Sequence, residues 1–135
     1  MYKVKYLTLQ SDLRLSHEVQ IKEVDNQKEV DITYYLKNVG NALATDIYIC
    51  IRFNNINRVK KCKTPWQDKT NINDRPTIIA VSPIPSLKGV ITECSGVIVE
   101  INKDIDEILS EYIIGASNMA VRSGLYAIPL KGQNA

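Results

Sequence analysis

Histidine is almost absent from this chain of 135 residues. His17 stands alone, so a histidine cluster cannot hold a metal, and any catalytic triad would have this one base. Cys50, Cys62 and Cys94 are odd in number and too widely spaced for a disulfide framework. One disulfide fits the count, but nothing selects the pair. No CxxC pair points to zinc or redox chemistry, and GxSxG, HExxH and P-loop patterns are missing. The residue set therefore calls for no catalytic residue, no metal and no cofactor. No run reaches the roughly 18 apolar residues of a membrane span. The best, Ile78 to Leu87, is broken by Ser82, Pro83, Pro85 and Ser86. The opening MYKVKYLTLQSDLR lacks the continuous apolar core of a signal peptide. These absences point to a cytoplasmic chain, or to a soluble domain excised from a larger membrane or exported protein. Charge of one sign is also missing: 17 Lys and Arg face 15 Asp and Glu, a net of +2. That excludes a polycationic histone-like protein and an acidic tail.

What is abundant is β-branched. Ile and Val together supply 29 residues, and their stiff χ1 suits a pleated surface. Tyr2, Val4 and Tyr6 alternate with lysines. Leu13, Leu15, Val19 and Ile21 share one parity, with His17 on their side. Val30, Ile32, Tyr34 and Leu36 alternate with polar residues, so Tyr34 and the adjacent Tyr35 face opposite sides. After Asn38-Val39-Gly40-Asn41, the segment 43–53 resumes with Ile47, Ile49, Ile51 and Phe53. Residues 56–63 read as a short edge strand, 64–76 as a polar loop and 77–81 as a buried strand. Pro83, Pro85 and Gly89 frame a connection. Residues 91–101 form a further strand, with Ser95-Gly96 as a kink. Ile105, Ile108, Leu109 and Tyr112 stand at helical spacing behind Asp104 and Glu107, and Gly115 follows as a stop. This spacing predicts one short helix over 104–114. Residues 118–122 and 125–130 flank Ser123-Gly124 as a terminal hairpin. Strands near every ten residues with one late helix predict a mainly β fold, an antiparallel sandwich forming a single domain over 1–135. A barrel of similar strand number competes.

The stretch LKNVGNALATDIYICI, from Leu36 to Ile51, resembles bacterial immunoglobulin-like sandwich modules of the cell-adhesion-related type. Leu36, Asn38, Gly40, Ala42, Ala44, Ile47, Ile49 and Ile51 fill the pattern. In it Asn38 bonds the turn backbone, Gly40 permits positive φ, and the alanines let the returning strand start close to the other sheet. The resemblance implies an immunoglobulin-like fold and a noncatalytic role as spacer, adhesion unit or interaction domain.

Two opposed charge segments remain. Arg52, Arg58, Lys60, Lys61, Lys63, Lys69 and Arg75 against Asp68 and Asp74 give residues 52–75 a local net of +5. Trp66, the single tryptophan, lies among them, and cations with an aromatic are the groups that hold phosphates and stack on rings. From Glu93 to Glu111 six acids and one lysine give −5. The leading expectation is an interaction module that recognises another macromolecule through an edge strand and the basic 54–76 loop. Its site residues are Arg52, Arg58, Lys60, Lys61, Lys63 and Trp66, with Tyr48 on the neighbouring strand. The alternative is a binder of a small anion or a nucleic acid at the Trp66 loop. The opposed segments also allow self-association.

Overall fold

The computed structural model describes residues 10–82 and 89–130. The strand expected at Tyr2–Tyr6 and the connection at Pro83 and Pro85 lie outside the described residues. The described residues form nine strands and one helical turn, in order: β1 (Leu13–Val24), β2 (Gln27–Asn38), β3 (Ile47–Phe53), β4 (Arg58–Cys62), β5 (Trp66–Asp68), α1 (Thr70–Asn73), β6 (Thr77–Ser82), β7 (Ile91–Asn102), β8 (Glu107–Ala116) and β9 (Met119–Pro129). They form two antiparallel sheets. One has four strands in the order β1-β2-β7-β4, and the other five in the order β5-β6-β3-β8-β9. The fold is a β-sandwich, as the alternation predicts.

Period two determines the core. Val30, Ile32, Tyr34 and Leu36 of β2 and Val97, Val99 and Ile101 of β7 point inward from the four-stranded sheet. Ile47, Ile49, Ile51 and Phe53 of β3, with Ile78, Ile108, Ile114 and Ile128, meet them from the other. Tyr34 is fully buried, while Tyr35 turns outward and donates to Glu18.

The Asn38 corner ties β2 to the start of β1. Asn38 is fully buried. Its Oδ1 accepts from the backbone N–H of Asp12 at 3.1 Å and of Gly40 at 3.0 Å, and its Nδ2 donates to the Ala42 carbonyl at 2.7 Å. Gly40 does not have positive φ, contrary to the expectation; Gly89 is the described glycine that does. Glycine is needed at position 40 because a Cβ there would lie 2.3 Å from the Gln10 carbonyl oxygen and 2.6 Å from the Asp12 nitrogen. Asn38→Ala strands several backbone groups. It is expected to cost about 2–3 kcal/mol, read as a lower denaturant midpoint.

The helix expected over 104–114 is absent. Residues 107–116 form β8, a central strand between β3 and β9. Ile108, Ser110 and Ile114 face inward, and Leu109, Glu111 and Ile113 face outward. Two features hid this alternation. The inward set includes a serine, Ser110, whose hydroxyl donates to the Tyr126 carbonyl at 2.9 Å. The outward set includes Leu109 and Ile113, so apolar residues on both faces imitate a helical stripe. Gly115 does not stop the element. The terminal hairpin is also absent: β9 runs unbroken through Ser123-Gly124 and pairs with β8 along its length. The turn lies earlier, at 117–118.

Candidate functional site: sheet edges and the outer face

The basic segment is divided between the two sheets. β4 is an edge strand of the four-stranded sheet, as read from 56–63. Four cations of the basic segment are held by acids of β7, of β2 one strand further in, and of β8 in the other sheet. Arg58 grips Glu100 with two bonds of 2.9 Å, from Nε and from an Nη. Lys60 pairs with Glu29, and Lys63 reaches both oxygens of Asp31 at 2.9 and 3.0 Å. Arg75 donates to Glu111 at 3.3 Å and to Asn54. The +5 and −5 segments therefore meet inside one molecule, at Arg58–Glu100 and Arg75–Glu111. The Arg58 guanidinium holds the Glu100 carboxyl below its ordinary range. Lys61 stays exposed on β4.

Trp66 is not a stacking platform. It is 3 % exposed and starts β5, the edge strand beyond β6. Its ring packs against Tyr34 with centroids 5.3 Å apart, and its Nε1 donates to the Cys94 carbonyl at 2.8 Å across the sandwich. The polar loop expected at 64–76 thus contains a short strand and a helical turn, anchored by a core tryptophan.

An aromatic seam closes the side where β1 faces β9. His17 Nδ1 lies 2.5 Å from the Tyr126 hydroxyl, and Tyr126 packs edge-on against Tyr112. Burial pushes the Tyr126 phenol up to about 12. It also holds the His17 imidazole below its ordinary value of 6.5. The unfolded chain therefore takes up this proton first as pH falls. The stability contributed by neutral His17 is complete above 6.5 and is lost as pH falls from there through the folded value. Denaturation at about pH 7.5 and about pH 5.5 should show this loss, and His17→Gln should reduce it.

The three cysteines are free thiols. Burial raises all three, Cys94 to about 11. Native protein should react slowly with a thiol reagent at neutral pH, and denatured protein fast at all three positions. Among the described residues, no group of three His, Cys, Asp or Glu side chains is placed to hold a metal, and no helix is long and apolar enough to cross a membrane.

Among the described residues four strands, β1, β4, β5 and β9, are sheet edges, and they differ in chemistry. β1 carries Arg14, Glu18 and Lys22 on its outward parity, and β4 carries Arg58, Lys60 and Lys61. Charges of this kind block strand addition. β5 has three residues. β9 has eleven, and Arg122 is its one charged residue. Arg122 turns to Asp12, at 2.7 Å, rather than outward.

Two backbone bonds fix which β9 groups point to the open edge. Leu130 N–H bonds the Asp106 carbonyl at 2.8 Å, and Asn54 N–H bonds the Leu109 carbonyl at 2.8 Å. With the β8–β9 and β3–β8 registers, antiparallel alternation directs the even residues of β9 to β8. Ser123, Leu125 and Ala127 therefore present their N–H and C=O to the open side. Their side chains lie on the outer face of the five-stranded sheet. Leu125 is 80 % exposed and Val121 69 %. Leu109, Ile113, Tyr48 and Val81 continue this apolar face across β8, β3 and β6. Tyr48 and Arg52 of the expected site lie here, on the outward parity of β3, an interior strand of the five-stranded sheet. Arg52, whose buried Nε has no partner among the described residues, lines a depression of about 310 Å³ with Glu111, Ile113 and Leu125.

A search of protein-family models and of curated proteins finds no match to this chain.

Proposed function

We propose that this chain is a noncatalytic immunoglobulin-like interaction module that recognises another macromolecule, a protein, by taking up one of its extended strands along β9. The observation that carries this reading is the contrast between edges: β9 is long, uncharged toward its open side and flanked by exposed Val121 and Leu125. Such an edge supplies main-chain bonds for affinity and alternate side-chain contacts for selectivity. The immunoglobulin-like character is supported by the Asn38 corner, where the Asn38 side chain bonds the turn backbone and Ala44 is buried, as the resemblance implies. The noncatalytic character rests on His17, the single imidazole, whose Nδ1 is engaged by a tyrosine hydroxyl. The basic 54–76 segment is the weaker surface. Four of its cations bond acids of the same chain, and its tryptophan is in the core. The same pairing argues against a nucleic-acid or small-anion site.

The test is a displayed library of nine-residue alternating strands selected on the immobilised chain. Retained strands should alternate apolar residues and should be lost on Ser123→Pro, which removes an outward N–H without touching the β8 ladder. Replacing Lys60, Lys61 and Lys63 by Gln should leave retention unchanged. Retention that survives Ser123→Pro, or that depends on these lysines and falls steeply with salt, overturns the reading.

A further inference from the structure

We infer that the strand taken up by β9 is β9 of a second copy of this chain, paired antiparallel about a two-fold axis. This rests on the reading of β9 as the recognition edge and adds the identity of its occupant. The strand is self-complementary. With Ser123 on the axis, outward-directed backbone groups meet outward-directed backbone groups on both strands. Val121 of each copy then lies opposite Leu125 of the other, so the two most exposed apolar side chains of the described residues cover one another. Arg122 lies opposite Gly124 of the second copy and keeps its bond to Asp12.

Neighbouring registers are poorer. An axis at Arg122 sets two guanidinium groups directly opposite, which is destabilising. An axis at Gly124 leaves Leu125 facing serine. Charge does not oppose the pairing, because the net charge is +2, Arg122 of the strand itself is held by the Asp12 carboxylate, and Arg52 shares its depression with Glu111. The interface is isologous and closes on itself, so it yields dimers and not fibres. It joins two five-stranded sheets into one and hides both open edges.

Sedimentation velocity of the full chain over a wide concentration range tests this, together with amide exchange. A concentration-dependent dimer is expected. Leu125→Lys should weaken it at least about 100-fold, because each interface loses two buried leucines. Ser123→Pro should give monomers at every concentration reached. Both positions are exposed, so at a dilution where the wild type is monomeric both variants should keep its denaturation midpoint. A wild-type chain that stays monomeric overturns the inference. If such a monomer still retains library strands in a way that Ser123→Pro abolishes, the edge reading survives without its second copy. If it retains none, both fail. A dimer unaffected by either substitution has another interface and also overturns the inference. So does a monomer with protected Ser123 and Leu125 amides, whose edge would be covered within the chain.

Discussion

Gly96→Ala is expected to cost about 3 kcal/mol or more, enough to leave much of the protein unfolded if its stability is at the low end for a small domain. β7 crosses β2 at this glycine with almost no space between backbones. A Cβ at position 96 would stand 1.6 Å from the Ile32 carbonyl oxygen and 2.7 Å from its carbon. Neither is the end of a flexible side chain, so relief requires the two central strands of the four-stranded sheet to part. The close approach accompanies an irregularity in the ladder. Ser95 has φ of 60°, and the β2–β7 register shifts between Thr33 and Tyr35. Chemical denaturation followed by circular dichroism measures the loss. Gly115→Ala is the control. Its Cβ would meet a Val121 methyl at 3.7 Å, an ordinary contact, and it should lie near wild type.

Trp66→Ala is expected to cost about 3–5 kcal/mol. The substitution empties a volume against Tyr34 and leaves the Cys94 carbonyl without its indole donor. It also loosens β5 from the sandwich, because the indole is the bond that reaches from β5 to β7. Trp66→Phe should cost less, since it keeps most of the packing and loses the bond. Denaturation midpoints measure both. A Trp66→Ala protein as stable as wild type would return the ring to the surface as a binding group.

The strands read over 13–21, 30–36 and 43–53 were legible, the last beginning at Ile47, because each keeps its apolar residues on one parity for several positions, and a half-buried strand demands that pattern. β8 was not, because it is buried by strands on both sides and bears apolar side chains on both faces. A short apolar run of that kind fits either period. The charge pairs were unreadable for a different reason. Arg58 and Glu100 are 42 residues apart, Lys60 and Glu29 31, and Lys63 and Asp31 32. Local net charge suggested a ligand surface where topology brings the compensating acids. Trp66 likewise looked exposed because its neighbours are polar, while its depth depends on β6 and β7. The open edge of β9 carries no local signal, because whether a strand is an edge depends on strand order. The visible hint was the scarcity of charge over 119–129, with Val121 and Leu125 on the parity opposite to Tyr126 and Ile128.

Amide hydrogen exchange along β9, at a dilution where the chain is monomeric and then with a selected strand peptide added, shows which edge takes up the strand. In the dilute chain Ser123, Leu125 and Ala127 should exchange fast, while Arg122, Gly124 and Tyr126, bonded to β8, exchange slowly. On adding the peptide the three fast amides should slow and those of β4, from Val59 to Lys61, should not change. Fast amides that stay fast while the β4 amides slow would place recognition on the basic edge and not on β9.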